Sequence, residues 1–77
     1  MNVLLVEDDE LLGKSLQQGF KEKEYECCWL KSGDGALAHA ASGEFNVVVL
    51  DLMLPEMSGL EVLAKFRRRG LTVPVLI

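Results

Sequence analysis

Four short apolar runs, separated by longer segments of mixed polarity, define the hydrophobic pattern of this chain. The runs cover residues 2–6, 26–30, 46–50 and 72–77. Their length and apolar content predict β-strands, and the second run, ECCWL, is typical of an edge strand. The third run, NVVVL, is apolar at successive positions, as expected for a strand that helices cover on both faces of a parallel sheet.

The segment after the first run has the spacing of an amphipathic helix. Its apolar stripe repeats every four residues and consists of Leu12, Leu16 and Phe20, with Leu11 widening it. Three acidic residues, 7–9, precede the stripe, and negative charge stabilises the first turn of a helix through the helix dipole. Gly13 and Gly19 weaken this prediction, because glycine costs about 1 kcal/mol relative to alanine inside a helix.

Two further helices are predicted between the remaining runs. In the first, Ser32 or Asp34 is the expected N-cap of a short alanine-rich helix that ends at Gly43. In the second, Ser58 begins a capping-box sequence, and the helix ends in three arginines followed by Gly70. The arginines are expected to form a solvated helix end whose charge complements the helix dipole.

The resulting order of elements is βαβαβαβ within one small domain, residues 1–77. Strands that alternate with single helices imply parallel pairing through right-handed crossovers. The pattern therefore predicts an α/β fold with a doubly wound parallel sheet. No internal repeat, low-complexity segment or linker interrupts the chain.

Composition and charge narrow the range of partners. Hydrophobic residues make up 49% of the chain, which is typical of a globular protein, and the net charge is −4. A negatively charged segment is not expected to contact nucleic acid. Adjacent Cys27 and Cys28 cannot build a disulfide framework, so they indicate a reducing, cytoplasmic location. No apolar run approaches the roughly 18 residues of a membrane helix, so no membrane contact is expected.

Acidic residues follow two of the predicted strands. Glu7, Asp8 and Asp9 come after the first strand, and Asp51 comes directly after the third. Ligands of doubly wound sheets bind outside the carboxyl ends of the strands, so these carboxylates meet there if the two strands are neighbours. Oxygen ligands without Cys or His favour Mg²⁺ over zinc, and a cation would relieve the repulsion between the carboxylates. Asp9 is expected to be a helix N-cap or first-turn residue rather than a ligand.

Three stretches of the chain together resemble a known family. They are "VLLVEDD", "VVVLDLMLPEMSGLEVL" and "VPVLI", which are similar to the receiver domain of two-component response regulators over all 77 residues. The resemblance implies a flavodoxin-like fold and a phosphorelay signalling module rather than an enzyme. It also implies that Asp51 takes a phosphoryl group from a phosphohistidine on a sensor histidine kinase, a reaction in which the protein must supply a nucleophile and neutralise charge.

The same resemblance assigns roles to the residues around this aspartate, which would itself be a metal ligand. Asp8 would bind Mg²⁺ directly and Glu7 would bind it through water. The backbone carbonyl of Met53 would be a further ligand, so an apolar side chain is tolerated there. Pro55 and Gly59 would shape the loop and the entry to the third helix.

The chain stops inside the fourth predicted strand, whereas the resemblance implies a longer domain. In the family a Ser or Thr, a helix, a strand ending in Lys and a last helix follow. None of these lies within the 77 residues. We therefore expect an incomplete receiver whose fourth strand forms an exposed edge, which favours a homo-oligomer. The stretch "GLEVLAKFRRRGLTVPVLI" is most similar to the winged-helix transcription-factor class, in which an absent C-terminal domain would bind DNA.

Two other functions fit part of the pattern. Mg²⁺ phosphatases also use an aspartyl nucleophile after a buried strand, but they have a second acid two residues later, where Met53 stands here. The other alternative is a receiver-derived interaction or dimerisation fragment without phosphotransfer. Trp29 is expected to be a packing or sheet-edge residue, and His39 a surface or half-buried residue, so neither is given a chemical role.

Overall fold

The computed structural model describes all residues from 1 to 77 and has the predicted order of elements. The strands are β1 (Asn2–Val6), β2 (Glu26–Leu30), β3 (Val47–Leu50) and β4 (Val75–Leu76). The helices are α1 (Glu10–Glu22), α2 (Ala36–Ala41) and α3 (Gly59–Arg68). The observed β1 and β2 match the predicted ranges residue for residue, and β3 is one residue shorter than predicted.

β4 is much shorter than the apolar run that predicted it. Pro74 has no N–H and joins the ladder only through its carbonyl, which accepts from the N–H of Val48 at 2.9 Å. Before it, the guanidinium of Arg67 donates to the carbonyls of Leu71 at 2.7 Å and Val73 at 3.0 Å. A side chain bonds these two carbonyls, so the segment is a connection rather than a strand. Arg67 is thus a structural contact as well as part of a charged helix end.

The four strands form one parallel sheet in the order β2-β1-β3-β4. This confirms the doubly wound α/β fold, and β2 lies at an edge as predicted. The central strand β1 pairs with both of its neighbours, and its last residue, Val6, is aligned with Leu30 of β2 and Leu50 of β3. The carboxyl ends of these three strands therefore end level with one another.

One side of the sheet, which we call the packed face, carries α2 and α3. Its core contains nine buried residues: Leu4, Val6, Ala36, Ala40, Val48, Leu50, Leu54, Val62 and Phe66. Alternate residues of β1 and β3 belong to this core, because successive side chains of a strand point to opposite sides of the sheet. Burial of these apolar side chains is the dominant favourable term in the stability of the fold.

The other side of the sheet, the α1 face, carries α1 alone. This helix lies against β2. Val3 and Leu5 of β1 are buried on this side, whereas Val47 and Val49 of β3 are only half-buried. The α1 face is therefore covered over the centre of the sheet and open over β3, although both strands have the apolar pattern of a sheet covered on two sides.

The apolar stripe of α1 is less buried than its pattern suggests. It consists of Leu11, which is 80% exposed, the exposed Leu12, and the half-buried Leu16 and Phe20. The only buried residue of the helix is Gly13. Its backbone lies so close to the indole of Trp29 that a Cβ atom at this position would stand 2.7 Å from Nε1. The glycine that weakened the helix prediction is therefore the point where α1 approaches the sheet.

Several predicted helix ends are confirmed. Ser58 is the N-cap of α3, and its hydroxyl accepts from the N–H of Glu61 at 3.1 Å. Gly43 and Gly70 follow the ends of α2 and α3 with φ of +77°, a left-handed conformation that glycine adopts without a steric penalty. The helices have 13, 6 and 10 residues. None of the three has the length and apolar character that crossing a membrane requires.

The predicted N-cap of α2 is wrong. Neither Ser32 nor Asp34 caps this helix, whose N-cap is Gly35 without a side-chain hydrogen bond. A turn leads into the helix instead, since the N–H of Ala36 donates to the carbonyl of Gly33 at 3.1 Å. The backbone of this turn thereby satisfies the first donor of the helix.

Candidate functional site

The candidate site lies at the carboxyl ends of β1 and β3, which are neighbours in the sheet as the sequence analysis required. The ladder continues one residue beyond each strand. The N–H of Asp51 donates to the carbonyl of Val6 at 2.9 Å, and the N–H of Glu7 donates to the carbonyl of Leu30 at 2.9 Å. Both acidic residues are therefore held by the sheet itself rather than by a free loop.

Three acidic side chains meet at this edge. Carboxylate oxygens of Glu7, Asp8 and Asp51 lie within 4.8 Å of one another. Glu7 is buried, with 6% of its surface exposed, while Asp51 is half-buried and Asp8 is exposed. The cluster therefore opens from the interior of the fold towards solvent. Asp9 is the N-cap of α1, as predicted, and its Oδ1 accepts from the N–H groups of two residues of the first turn at 3.0 and 3.2 Å.

The surroundings of the buried Glu7 disfavour its ionised form. Burial raises the pKa of Glu7 above its ordinary value of 4.5, and the nearby Asp51 and Asp8 carboxylates raise it further. The N–H of Asp9, which donates to Glu7 Oε2 at 3.1 Å, acts in the opposite direction. A cation in the cluster would favour the ionised form of Glu7, because an opposite charge stabilises a carboxylate.

The loop after β3 is built tightly around Asp51. The N–H of Met53 donates to Asp51 Oδ1 at 3.2 Å, and the N–H of Gly59 donates to the carbonyl of Leu52 at 2.8 Å. A Cβ atom at Gly59 would stand 2.5 Å from the Asp51 carbonyl oxygen, so only glycine allows this approach. Pro55 is exposed within the loop. The side chain of Met53 is 79% exposed, so it does not fill the cluster.

The donor set fits a hard divalent cation. All three side chains offer carboxylate oxygens, and neither histidine nor cysteine belongs to the cluster. Mg²⁺ takes one or two carboxylates and completes its coordination with water and other oxygens, whereas zinc sites use nitrogen and sulfur ligands. An exposed aspartate beside a buried glutamate leaves one side of such a cation open to solvent.

Trp29 makes a contact at this edge that the sequence analysis missed. Its indole Nε1–H donates to the backbone carbonyl of Glu7 at 2.8 Å. Trp29 lies in the edge strand β2, so its interpretation as a packing or sheet-edge residue was right about its place but incomplete about its role. Only the register, which pairs Leu5 with Trp29, brings the indole to this carbonyl, and nothing in the pattern of the second strand indicates it.

Comparison with known sequences identifies one protein family. The family model described as the response regulator receiver domain matches residues 3–77. The transcriptional regulatory protein QseB of Haemophilus influenzae is 43% identical over 77 residues, which are all of this chain and 35% of that relative. The chain therefore spans about a third of the length of this curated relative.

Two solved structures are similar in both fold and sequence. The response regulator protein TrrA of Thermotoga maritima, solved in complex with Mg²⁺-BeF, has a TM-score of 0.82 and 32% identity over 88% of this chain and 59% of that chain. The complex of the histidine kinase ThkA with TrrA has a TM-score of 0.86 and 30% identity over 96% of this chain and 64% of that chain.

Proposed function

The chain belongs to the response regulator receiver family, and from this premise we propose that its residues 1–77 are the N-terminal part of a receiver domain that accepts a phosphoryl group on Asp51. One observation carries this proposal: Asp51 directly follows β3, which lies beside β1, and carboxylate oxygens of Glu7, Asp8 and Asp51 lie within 4.8 Å of one another. The module signals through this modification and does not turn over a substrate as an enzyme.

In the proposed reaction, a carboxylate oxygen of Asp51 attacks the phosphorus of a phosphohistidine. A P–O bond forms, the P–N bond breaks, and the imidazole of the donor leaves with the electron pair and is protonated. The phosphoryl donor supplies the energy, so the receiver has to position the nucleophile and neutralise charge. The hydrogen bond from the Met53 N–H to Asp51 Oδ1 at 3.2 Å orients the carboxylate for this attack.

We propose Mg²⁺ as the cation of the cluster. Asp8 and Asp51 would bind it directly, Glu7 through water, and the backbone carbonyl of Met53 would complete the protein ligands. The cation would offset the charges of the carboxylates and of the incoming phosphoryl oxygens. The all-oxygen donor set supports this assignment, and so does the Mg²⁺-BeF complex of the similar protein TrrA.

A sensor histidine kinase is the proposed phosphoryl donor, which the complex of ThkA with TrrA supports. The relation to QseB supports a transcriptional regulator as the whole protein, in which other residues would contact DNA. The net charge of −4 supports a segment that does not itself bind nucleic acid. The free Cys27 and Cys28 support a reducing, cytoplasmic location.

Mass spectrometry of the protein that contains these residues tests the phosphoacceptor. After incubation with acetyl phosphate and Mg²⁺, the wild type should gain the mass of one phosphoryl group. Asp51→Asn should gain none, because an amide oxygen is a poor nucleophile. Asp34→Asn, which changes an exposed aspartate outside the cluster, should be labelled like the wild type. Equal labelling of Asp51→Asn and the wild type would exclude the assignment.

A second function, self-association, rests on a separate observation. β4 is an edge of the sheet, and its neighbourhood exposes Leu76 and Ile77, which are 63% and 54% exposed. An apolar strand edge can pair with another chain. We propose that the 77-residue chain forms a dimer or larger assembly through this edge.

Sedimentation equilibrium at micromolar concentration tests this second function. The wild-type chain should sediment above its monomer mass of 8.5 kDa. Leu76→Lys should shift it to monomer, because a charge on a strand edge opposes edge-to-edge pairing. Leu11→Lys changes another exposed leucine, which lies on α1 and not at the strand edge, and should leave the assembly intact. A folded monomer in the wild type rules out this function and leaves phosphotransfer unaffected.

A further inference from the structure

Trp29 is the only tryptophan in the chain and the next-to-last residue of β2. Its Nε1–H donates to the carbonyl oxygen of Glu7 at 2.8 Å. Glu7 follows β1, so its carbonyl lies just beyond the last pair of the ladder, Val6 with Leu30. A backbone carbonyl near the interior needs a partner, and the indole provides it where the strands no longer do.

The indole is held in this orientation by α1. It packs against the backbone of Gly13, where any larger residue would collide with the ring. Lys31 Nζ also lies 5.5 Å from the ring centroid, and it is 2.9 Å from Glu10 Oε2. The N–H of Trp29 is therefore aimed at one carbonyl by its packing, not only by the hydrogen bond that it makes.

The carbonyl that Trp29 holds belongs to the peptide group between Glu7 and Asp8. The N–H of Glu7 is fixed by the Leu30 carbonyl and its side chain by the N–H of Asp9. The side chain of Asp8 is exposed and accepts no hydrogen bond in the structure. The direction in which the Asp8 side chain points therefore depends on the plane of the Glu7–Asp8 peptide group, which Trp29 orients.

We propose that Trp29 is a positioning residue, which fixes the Glu7–Asp8 peptide and thereby aims the Asp8 carboxylate at a divalent cation in the cluster. This inference rests on the proposed Mg²⁺ site. Groups that orient a metal ligand typically change metal affinity by ten- to a hundredfold when they are removed. Trp29 acts through a backbone carbonyl, so we expect the smaller end of this range, a loss of about tenfold.

Replacing Trp29 with 3-benzothienylalanine tests the hydrogen bond without changing the shape of the ring, because sulfur replaces the N–H. Mg²⁺ affinity is measured by calorimetry, and unfolding in EDTA shows that the packing is intact. The analogue should bind Mg²⁺ about tenfold more weakly than the wild type. Lys31→Met, which removes the cation from the ring and keeps the N–H, should bind like the wild type.

A measurement on the unmodified chain gives an independent readout. The Nε1–H signal of Trp29 in a ¹⁵N NMR titration should shift with Mg²⁺, with the same midpoint as the backbone amide of Asp8. A wild type that binds Mg²⁺ while the indole signal stays still, or an analogue that binds equally well, overturns the role of Trp29 alone. A wild type that does not bind Mg²⁺ at all overturns the proposed site together with it.

Discussion

The two faces of the sheet differ although their strands have similar apolar sequences. On the packed face two helices cover the strands, and Val48, Leu50 and Phe66 are buried. On the α1 face one helix covers only part of the sheet, and Val47 and Val49 are half-buried. An apolar run therefore indicates that a strand can be covered on both sides, but the helices decide how much of each side is covered.

Because of this difference, one face of the sheet should determine mainly stability, and the other should affect the candidate site. The packed face contains nearly all of the buried core, so most of the free energy of unfolding should depend on it. The α1 face contributes the contact between α1 and Trp29, which reaches the carbonyl of Glu7. Substitutions on the packed face should thus lower stability. Loss of the Trp29 hydrogen bond on the α1 face should lower metal affinity with little effect on the fold.

Replacing one phenylalanine on each face gives the largest expected contrast. Phe66→Ala removes a fully buried ring from the packed face and should cost about 3–5 kcal/mol. Phe20→Ala removes a half-buried ring from the α1 face and should cost about 1–2 kcal/mol, since less apolar surface returns to water. Urea unfolding followed by far-ultraviolet circular dichroism measures both.

A loss of several kcal/mol is a large part of the stability of a small domain, so Phe66→Ala can unfold the chain outright. In that case Phe66→Leu and Phe20→Leu provide a matched pair. Both should lose less unfolding free energy than the alanine variants, and the loss should still be larger at Phe66. Equal losses for the two positions would contradict the distinction between the faces.

Adjacent valines in β3 sharpen the comparison because they differ only in the face to which they point. Val48→Ala should cost about 2 kcal/mol, from two lost methyl groups and a residual cavity. Val49→Ala should cost roughly half as much, because this side chain is already partly in contact with water. The measurement is the same urea titration. A larger loss at Val49 would mean that the α1 face is covered more fully than the exposure of its side chains indicates.

The smallest expected effect is a pH dependence of the free energy of unfolding, which comes from Glu7, the residue that follows β1. Its pKa in the folded chain is raised above the ordinary value of 4.5, so the folded state binds this proton more tightly than the unfolded state. Its contribution to stability is therefore fully present below that ordinary value and is lost as pH rises through the raised pKa.

The difference in unfolding free energy between wild type and Glu7→Gln, measured in EDTA across this pH window, isolates the effect. Relative to the variant, the wild type should lose stability as the pH rises. Saturating Mg²⁺ should reverse the trend, because a bound cation stabilises the ionised carboxylate. A difference that does not change with pH would show that burial does not raise this pKa.

Much of the fold could be predicted because the apolar runs are short, well separated and bounded by charges or glycines. The ends of β1 and β2 follow directly from this pattern. The predicted cap of α2 was wrong because the helix begins after a turn in which the carbonyl of Gly33 accepts from the N–H of Ala36, so Gly35 stands at the N-cap position. The predicted length of β4 was wrong because Arg67, which belongs to α3, donates to the carbonyls of the connection that precedes the strand.

The candidate site was predictable to the extent that it depends on strand order. Once β1 and β3 are neighbours, Glu7, Asp8 and Asp51 must meet at one edge of the sheet. The hydrogen bond of Trp29 was not predictable, because it depends on the register of β2 and on the space that Gly13 leaves in α1. Contacts of this kind are set by tertiary packing, and a single sequence carries no direct signal for them.

The central position of β1 also has a consequence for how the chain folds during synthesis. β1 leaves the ribosome first, but its partners are residues 26–30 and 47–50, and Phe66, which closes the core, follows Val6 by 60 residues. At about 5–20 residues per second, translation delays the burial of β1 by about 3–12 s. Loop closure takes microseconds or less, so synthesis sets this interval. The apolar strand NVLLV is thus available to a chaperone for seconds before its own partners exist.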